Sequence, residues 1–203
     1  MKRGSHMVSR WTAVDRVEQG ALPTMFVQAV IVGTVLTIGA IACSGLYIGM
    51  TADPKTGAPI VALVPWMAVS VLIAVVFTYI VGFALLWCAE AFTTHMREPF
   101  KPWAYAVVGL IGYAIWGLFV MGSTMNSLDQ AVNGVVLANA DMIALTFNYA
   151  VLGFIAMLIA KWYAPKLAVR RTAAIVLFVV QIVLAVLGII VAVMLFGQIA
   201  AAA

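Results

Sequence analysis

Charged residues are so sparse along this chain that long, strongly apolar stretches separate them. Four uncharged runs extend from Gln19 to Ala52, Thr56 to Ala89, Pro102 to Leu128 and Thr172 to Ala203, and a shorter fifth one from Met142 to Ala160. Each is long enough for a helix of about 20 residues, the length that crosses the hydrocarbon core of a bilayer. In hydrocarbon a helix pairs its own backbone groups, and the short segments of alternating polarity that a membrane barrel needs are not seen. The pattern predicts spans over residues 25–50, 64–87, 104–124, 143–162 and 173–196. The expected fold class is an all-α integral membrane protein, a bundle of five transmembrane helices forming one domain over residues 23–203.

Composition agrees. Of 203 residues, 66% are hydrophobic and 9% charged, with a mean hydropathy of +1.14. A soluble domain is about one quarter charged, so this chain cannot clothe a water-facing surface. A signal peptide would be followed by a soluble body; none follows, so the first span is expected to be retained.

The first seven residues contain Arg3-Gly4-Ser5-His6-Met7, which looks like the scar of a purification tag, and residues 1–7 are set aside as a tag remnant. That leaves His95 as the single remaining histidine. Removing Lys2 and Arg3 takes the formal net charge from +4 to +2, so the basic balance does not imply a nucleic-acid partner. Residues 8–22, with Asp15, Arg16 and Glu18, read as a cytoplasmic or interfacial segment, and Pro23 can open the first span at little cost.

Lys and Arg in short loops favour the cytoplasmic side. Arg10, Arg16, Arg97, Lys101, Lys161, Lys166, Arg170 and Arg171 fall on one set of flanks and Lys55 alone on the other, eight against one. The N-terminus is therefore expected in the cytoplasm and the C-terminus outside, in a cell membrane, the bacterial cytoplasmic membrane first. Trp66, Trp87, Trp103, Trp162, Tyr47 and Tyr163 fall near span ends, as an interfacial aromatic belt would. Trp116 and Tyr113 lie deeper and are expected between helices or along a cavity.

Spans associate through close approach at small residues and through interhelical hydrogen bonds. Gly45 and Gly49 in the first span, and Gly109 and Gly112 in the third, are the candidate packing positions. Gln181, the strongly polar interior residue of the fifth span, reads as a hydrogen-bonding tie. The fifth span is expected to face lipid most. No internal repeat is found, and five spans do not divide into inverted halves.

No zinc-binding His-Glu-x-x-His, nucleophile elbow or phosphate loop is present, and one histidine cannot build a bis-histidine haem or a His-rich cluster. The chain is expected to be non-enzymatic, with no cofactor and no metal. Cys43 and Cys88 are expected at depths more than about 20 Å apart, beyond disulfide reach, and so to be free thiols. The second loop, from Glu90 to Pro102, gathers acids, bases and His95. Glu90 stands out at the membrane boundary. The third loop, from Met125 to Asp141, holds Asn126, Asp129, Asn133 and Asp141 without a Lys or Arg, and Asn148 lies one to two turns below Asp141. Glu90, Asp129, Asp141 and Asn148 form a candidate polar path. No ionisable residue is read well inside a span, which favours a neutral solute over ion coupling.

Five spans with the N-terminus inside and the chain ending just past the last helix resemble Yip-type membrane proteins in topology, which implies a non-catalytic membrane protein. Two functions follow: a small-solute transporter, channel or transporter subunit, or alternatively a non-catalytic scaffold or assembly partner. Expected partners are the bilayer, anionic lipid at the basic loops, and a second copy or another membrane protein.

Overall fold

The computed structural model describes residues 22–50 and 62–202. Within them the chain is all-helical, with five helices long and apolar enough to cross a membrane. Helix α1 is Thr24–Met50. Helix α2 joins Leu63–Phe77, a π-helical turn Thr78–Gly82 and Phe83–Thr93. Helix α3 follows a short 3-10 turn, Glu98–Phe100, and joins Lys101–Trp116, a second π-helical turn Gly117–Met121 and Gly122–Asn133. Helix α4 is Asn139–Val169 and helix α5 is Arg171–Ala202. The tag remnant 1–7 and residues 8–21 of the leading segment lie outside the described residues, as does Lys55.

Every helix runs past its predicted span. Charge marks where a chain leaves hydrocarbon, but it does not break the backbone hydrogen-bond ladder of a helix. Helix α2 therefore continues through Glu90, and α4 through Lys161 and Lys166. The third loop, expected from Met125 to Asp141, is corrected to residues 134–138, because Asn126 to Asn133 are the last two turns of α3. Gly134 stops the helix there: its φ of 67° is left-handed, and its N–H donates to the Gln130 carbonyl at 3.1 Å. The basic fourth loop shrinks further, to Arg170 alone between α4 and α5.

Helix α1 sits in the middle of the bundle, against α2, α4 and α5, while α3 packs along α4 and closes onto the second half of α2. In its most apolar stretch α1 is 61% buried and α5 only 22%, so α5 is the peripheral helix. Glycines decide how closely the rods approach. An added Cβ at Gly109 would collide with the Gly153 carbonyl oxygen and with Met157, and one at Gly112 would come within 2.5 Å of Leu85. Helix α3 thus lies against the backbone of α4 on one face and against α2 on another. Gly188 brings α5 onto α2 in the same way, within 2.6 Å of the Ala68 carbonyl oxygen. Gly45 and Gly49 correct the expectation of internal packing: a Cβ at either would meet no described atom within 4 Å.

Of the described aromatics expected near span ends, the exposed ones gather at one end of the bundle. Trp87, Trp103, Trp162 and Tyr163 are more than half exposed. Trp66 and Tyr47 are instead buried, in a cluster with Met121, Met125, Leu128 and Leu145 that packs the opposite end. Proximity to a helix end sets a residue's position along the bundle, whereas the face of the helix it occupies decides between surface and core.

Candidate functional site

The described basic residues collect at one end of the bundle, where the α2–α3 and α4–α5 connections and the start of α1 meet. The Leu22 N–H donates to the Ala168 carbonyl at 3.3 Å and ties the entry of α1 to the end of α4. Glu90 on α2 is the hub of this end. Its carboxylate accepts a hydrogen bond from the Tyr105 hydroxyl of α3 and faces the Lys161 ammonium of α4 at 3.4 Å. The same ammonium lies 4.6 Å from the centre of the fully buried Tyr105 ring, so cation, ring and carboxylate make one clasp across three helices. Glu98 and Lys101 pair beside it at 2.7 Å in an exposed position.

The other predicted polar residues lie towards the opposite end. Asn148 on α4 bridges to α1: its side-chain oxygen accepts from the Tyr47 hydroxyl at 3.1 Å, and its nitrogen donates to Cys43 Sγ at 3.2 Å. The Tyr47 and Tyr149 rings stack at 5.9 Å with planes 6° apart. Asp141 lies in the first turn of α4, partly buried. Asp129 corrects the expectation of a loop carboxylate, because it sits on α3 and is only 5% exposed. Nearby, Asn126 accepts from the Leu137 N–H at 2.9 Å and holds the short α3–α4 connection. A hollow of about 510 Å³ opens here, lined in part by Ser123, Asn126, Asn139 and Met142.

Glu90 is not brought together with this group. Aromatic side chains occupy the interval: the Trp116 and Phe77 ring centres are 3.8 Å apart, and Tyr113 meets Phe77 edge-on at 4.8 Å. Phe77 directly precedes the π turn of α2, and Trp116 directly precedes that of α3. A π turn accommodates an extra residue and re-aims the side chains around it, and such turns recur at functional sites.

Six hydroxyls in the helices, on Thr34, Ser44, Thr78, Thr93, Thr124 and Thr146, donate back to the carbonyl four residues earlier. Thr37 on α1 and Ser70 on α2 do not. Together with Trp66 Nε1 they are buried polar atoms with no hydrogen-bond partner among the described residues. Nothing in their sequence context distinguishes Thr37 and Ser70 from the six that fold back, so they escaped the sequence reading.

Gln181 is fully engaged. Its oxygen accepts from the Tyr79 hydroxyl at 2.6 Å, and its nitrogen donates to the Val30 carbonyl and to Thr34 Oγ1, both at 2.8 Å. One amide thereby joins α5 to α1 and α2, against Gly33, whose missing Cβ leaves room for it. Phe178 adds edge contacts to Phe26 and Tyr79 at 5.3 and 5.5 Å. Cys43 and Cys88 are free thiols. Among the described residues, no three His, Cys, Asp or Glu side chains gather as a metal site would require. Compared with protein family models, curated proteins and solved structures, the chain matches none.

Proposed function

We propose that this chain resides in a cell membrane, with its N-terminus in the cytoplasm and its C-terminus outside, and passes a small neutral polar solute, as a transporter, channel or transporter subunit. The observation that carries the reading is the set of buried polar atoms on Thr37, Trp66 and Ser70 that have no partner among the described residues, on α1 and α2. Each such atom costs about 1–3 kcal/mol, and within a membrane-spanning bundle no lipid group offsets that cost. Hydroxyl and indole groups of this kind suit transient hydrogen bonding to an uncharged solute. The close Phe77–Trp116 contact, flanked by two π turns, supports a closed constriction that separates the polar end at Asn148 from the basic end at Glu90.

The topology rests on the eight-to-one distribution of Lys and Arg. The gathering of the described basic residues at one end of the bundle, beside an exposed aromatic belt, supports it.

Gly45 and Gly49 favour a second reading, a scaffold or assembly partner, because they offer a small-residue face with no described atom against it. Flux separates the two. Full-length protein in liposomes would be tested by stopped-flow light scattering with glycerol and urea as probes. Entry faster than through protein-free lipid, slowed severalfold by Thr37→Val with Ser70→Ala, is the expected result. Equal rates with and without protein would rule out passage of these solutes and leave the scaffold reading.

A further inference from the structure

We infer that the hollow bounded by Tyr163, Lys166, Leu167 and Arg170 holds an anionic phospholipid, its apolar body against the wall of the hollow and its headgroup at the exposed Lys166 and Arg170. The inference uses the membrane reading above and does not depend on solute passage. The hollow measures about 470 Å³ and lies at the junction of α4 and α5. Its surface is almost wholly apolar, formed by Leu167, the Tyr163 ring and the side-chain stems of Lys166 and Arg170, two exposed basic residues. An apolar hollow beside two exposed basic side chains suits an amphiphile with an apolar body and an anionic head.

The Lys166 ammonium lies 5.3 Å from the centre of the Tyr163 ring. Among the described residues neither Lys166, Arg170 nor Arg171 has a carboxylate partner; Glu90 is engaged by Tyr105 and Lys161, and Glu98 by Lys101. Arg170 is the single residue between two helices, with φ −92° and ψ 65°, and α5 begins at Arg171, so its first free amides lie at the same corner. A helix start favours phosphate through those amides and the helix dipole. The depth fits as well, because Trp162 and Tyr163 are 52% and 54% exposed, as residues at the membrane-water boundary are. A free phosphate would use the cations and leave the apolar wall without a purpose; a diacyl lipid uses both.

The test is native mass spectrometry of the full chain released from nanodiscs containing equal phosphatidylglycerol and phosphatidylcholine. Wild-type protein should retain phosphatidylglycerol in preference. Lys166→Gln with Arg170→Gln should lower that preference by about fivefold per cation removed, whereas Arg97→Gln should leave most of it. Leu167→Trp, which fills the hollow and keeps both charges, should lose the bound lipid too, and it serves if the double variant fails to fold. Inorganic phosphate should not displace the lipid. No preference in the wild type, an unchanged preference in the foldable hollow variants, or displacement by phosphate alone would each overturn the assignment. Glycerol flux through the same variants reads the proposed function separately, and wild-type flux is expected.

Discussion

The indole of Trp116 lies over the ring of Phe77, centre to centre 3.8 Å, and in both helices the π turn begins at the very next residue. Two helix irregularities on different rods thus meet at one aromatic contact. Each π turn shifts the register of the helix beyond it, so the contact is the point where α2 and α3 change the faces they present. If this contact is the constriction, Trp116→Ala should raise glycerol flux in liposomes severalfold while Trp116→Phe stays near wild type. The truncation should also cost about 3 kcal/mol, at the low end for an aromatic deletion because the indole is only partly buried. Lower or unchanged flux in a folded Trp116→Ala protein would reject the constriction.

Gly109 and Gly45 make a matched pair. Gly109→Ala places a methyl against a backbone carbonyl that cannot swing aside, and should destabilise the bundle by about 1–3 kcal/mol in a denaturant titration in detergent. Gly45→Ala meets open space, so the change should stay within about 0.5 kcal/mol in the monomer. A larger effect of Gly45→Ala that appears only as protein concentration rises would point to a partner on that face.

Gln181→Leu removes three interhelical hydrogen bonds at once. With membrane contacts of this kind worth about 0.6–1 kcal/mol each, the loss should be about 2 kcal/mol. Tyr79→Phe should cost much less in the Gln181→Leu background than alone. Additive losses in that double-mutant cycle would show that the two side chains do not act as a unit.

Glu90→Gln should have a small effect. The carboxylate is 57% exposed, and ion pairs in such positions contribute about 0–1 kcal/mol. The glutamine keeps an acceptor for the Tyr105 hydroxyl. Unfolding free energy should therefore fall by less than about 1 kcal/mol, with glycerol flux unchanged. A large loss of flux would instead make Glu90 part of the solute route.

Reporter fusions test the orientation. Alkaline phosphatase fused after Ala203 should be active, and green fluorescent protein at the same position dark, because the C-terminus is read as external. The reverse pattern would invert the topology and move the basic end to the outer face.

The number of helices was legible because the cost of charge in hydrocarbon writes five uncharged runs directly into the residue order. The ties of Gln181 also follow from residue type, since a lone amide in an apolar helix has few other uses; glycine type alone does not decide, because Gly109 and Gly112 make close approaches while Gly45 and Gly49 meet no described atom. Helix ends were less legible. Asp129 reads as a loop residue by polarity, yet it belongs to a helix that stops only where Gly134 takes a left-handed φ.

Local chemistry along the chain settles what a segment is, because apolar length, charge and backbone pairing depend on near neighbours. Which face of each rod turns inward depends on every other rod, and pairwise packing carries no local signal. That is why the tilted contact of Trp116 with Phe77, the burial of Tyr47 and Trp66, and, among the described residues, the open face at Gly45 and Gly49 and the unpartnered hydroxyls of Thr37 and Ser70 emerged from the assembled bundle. The same apolar sequence that makes each helix certain leaves its rotation about its own axis undetermined until the others are in place.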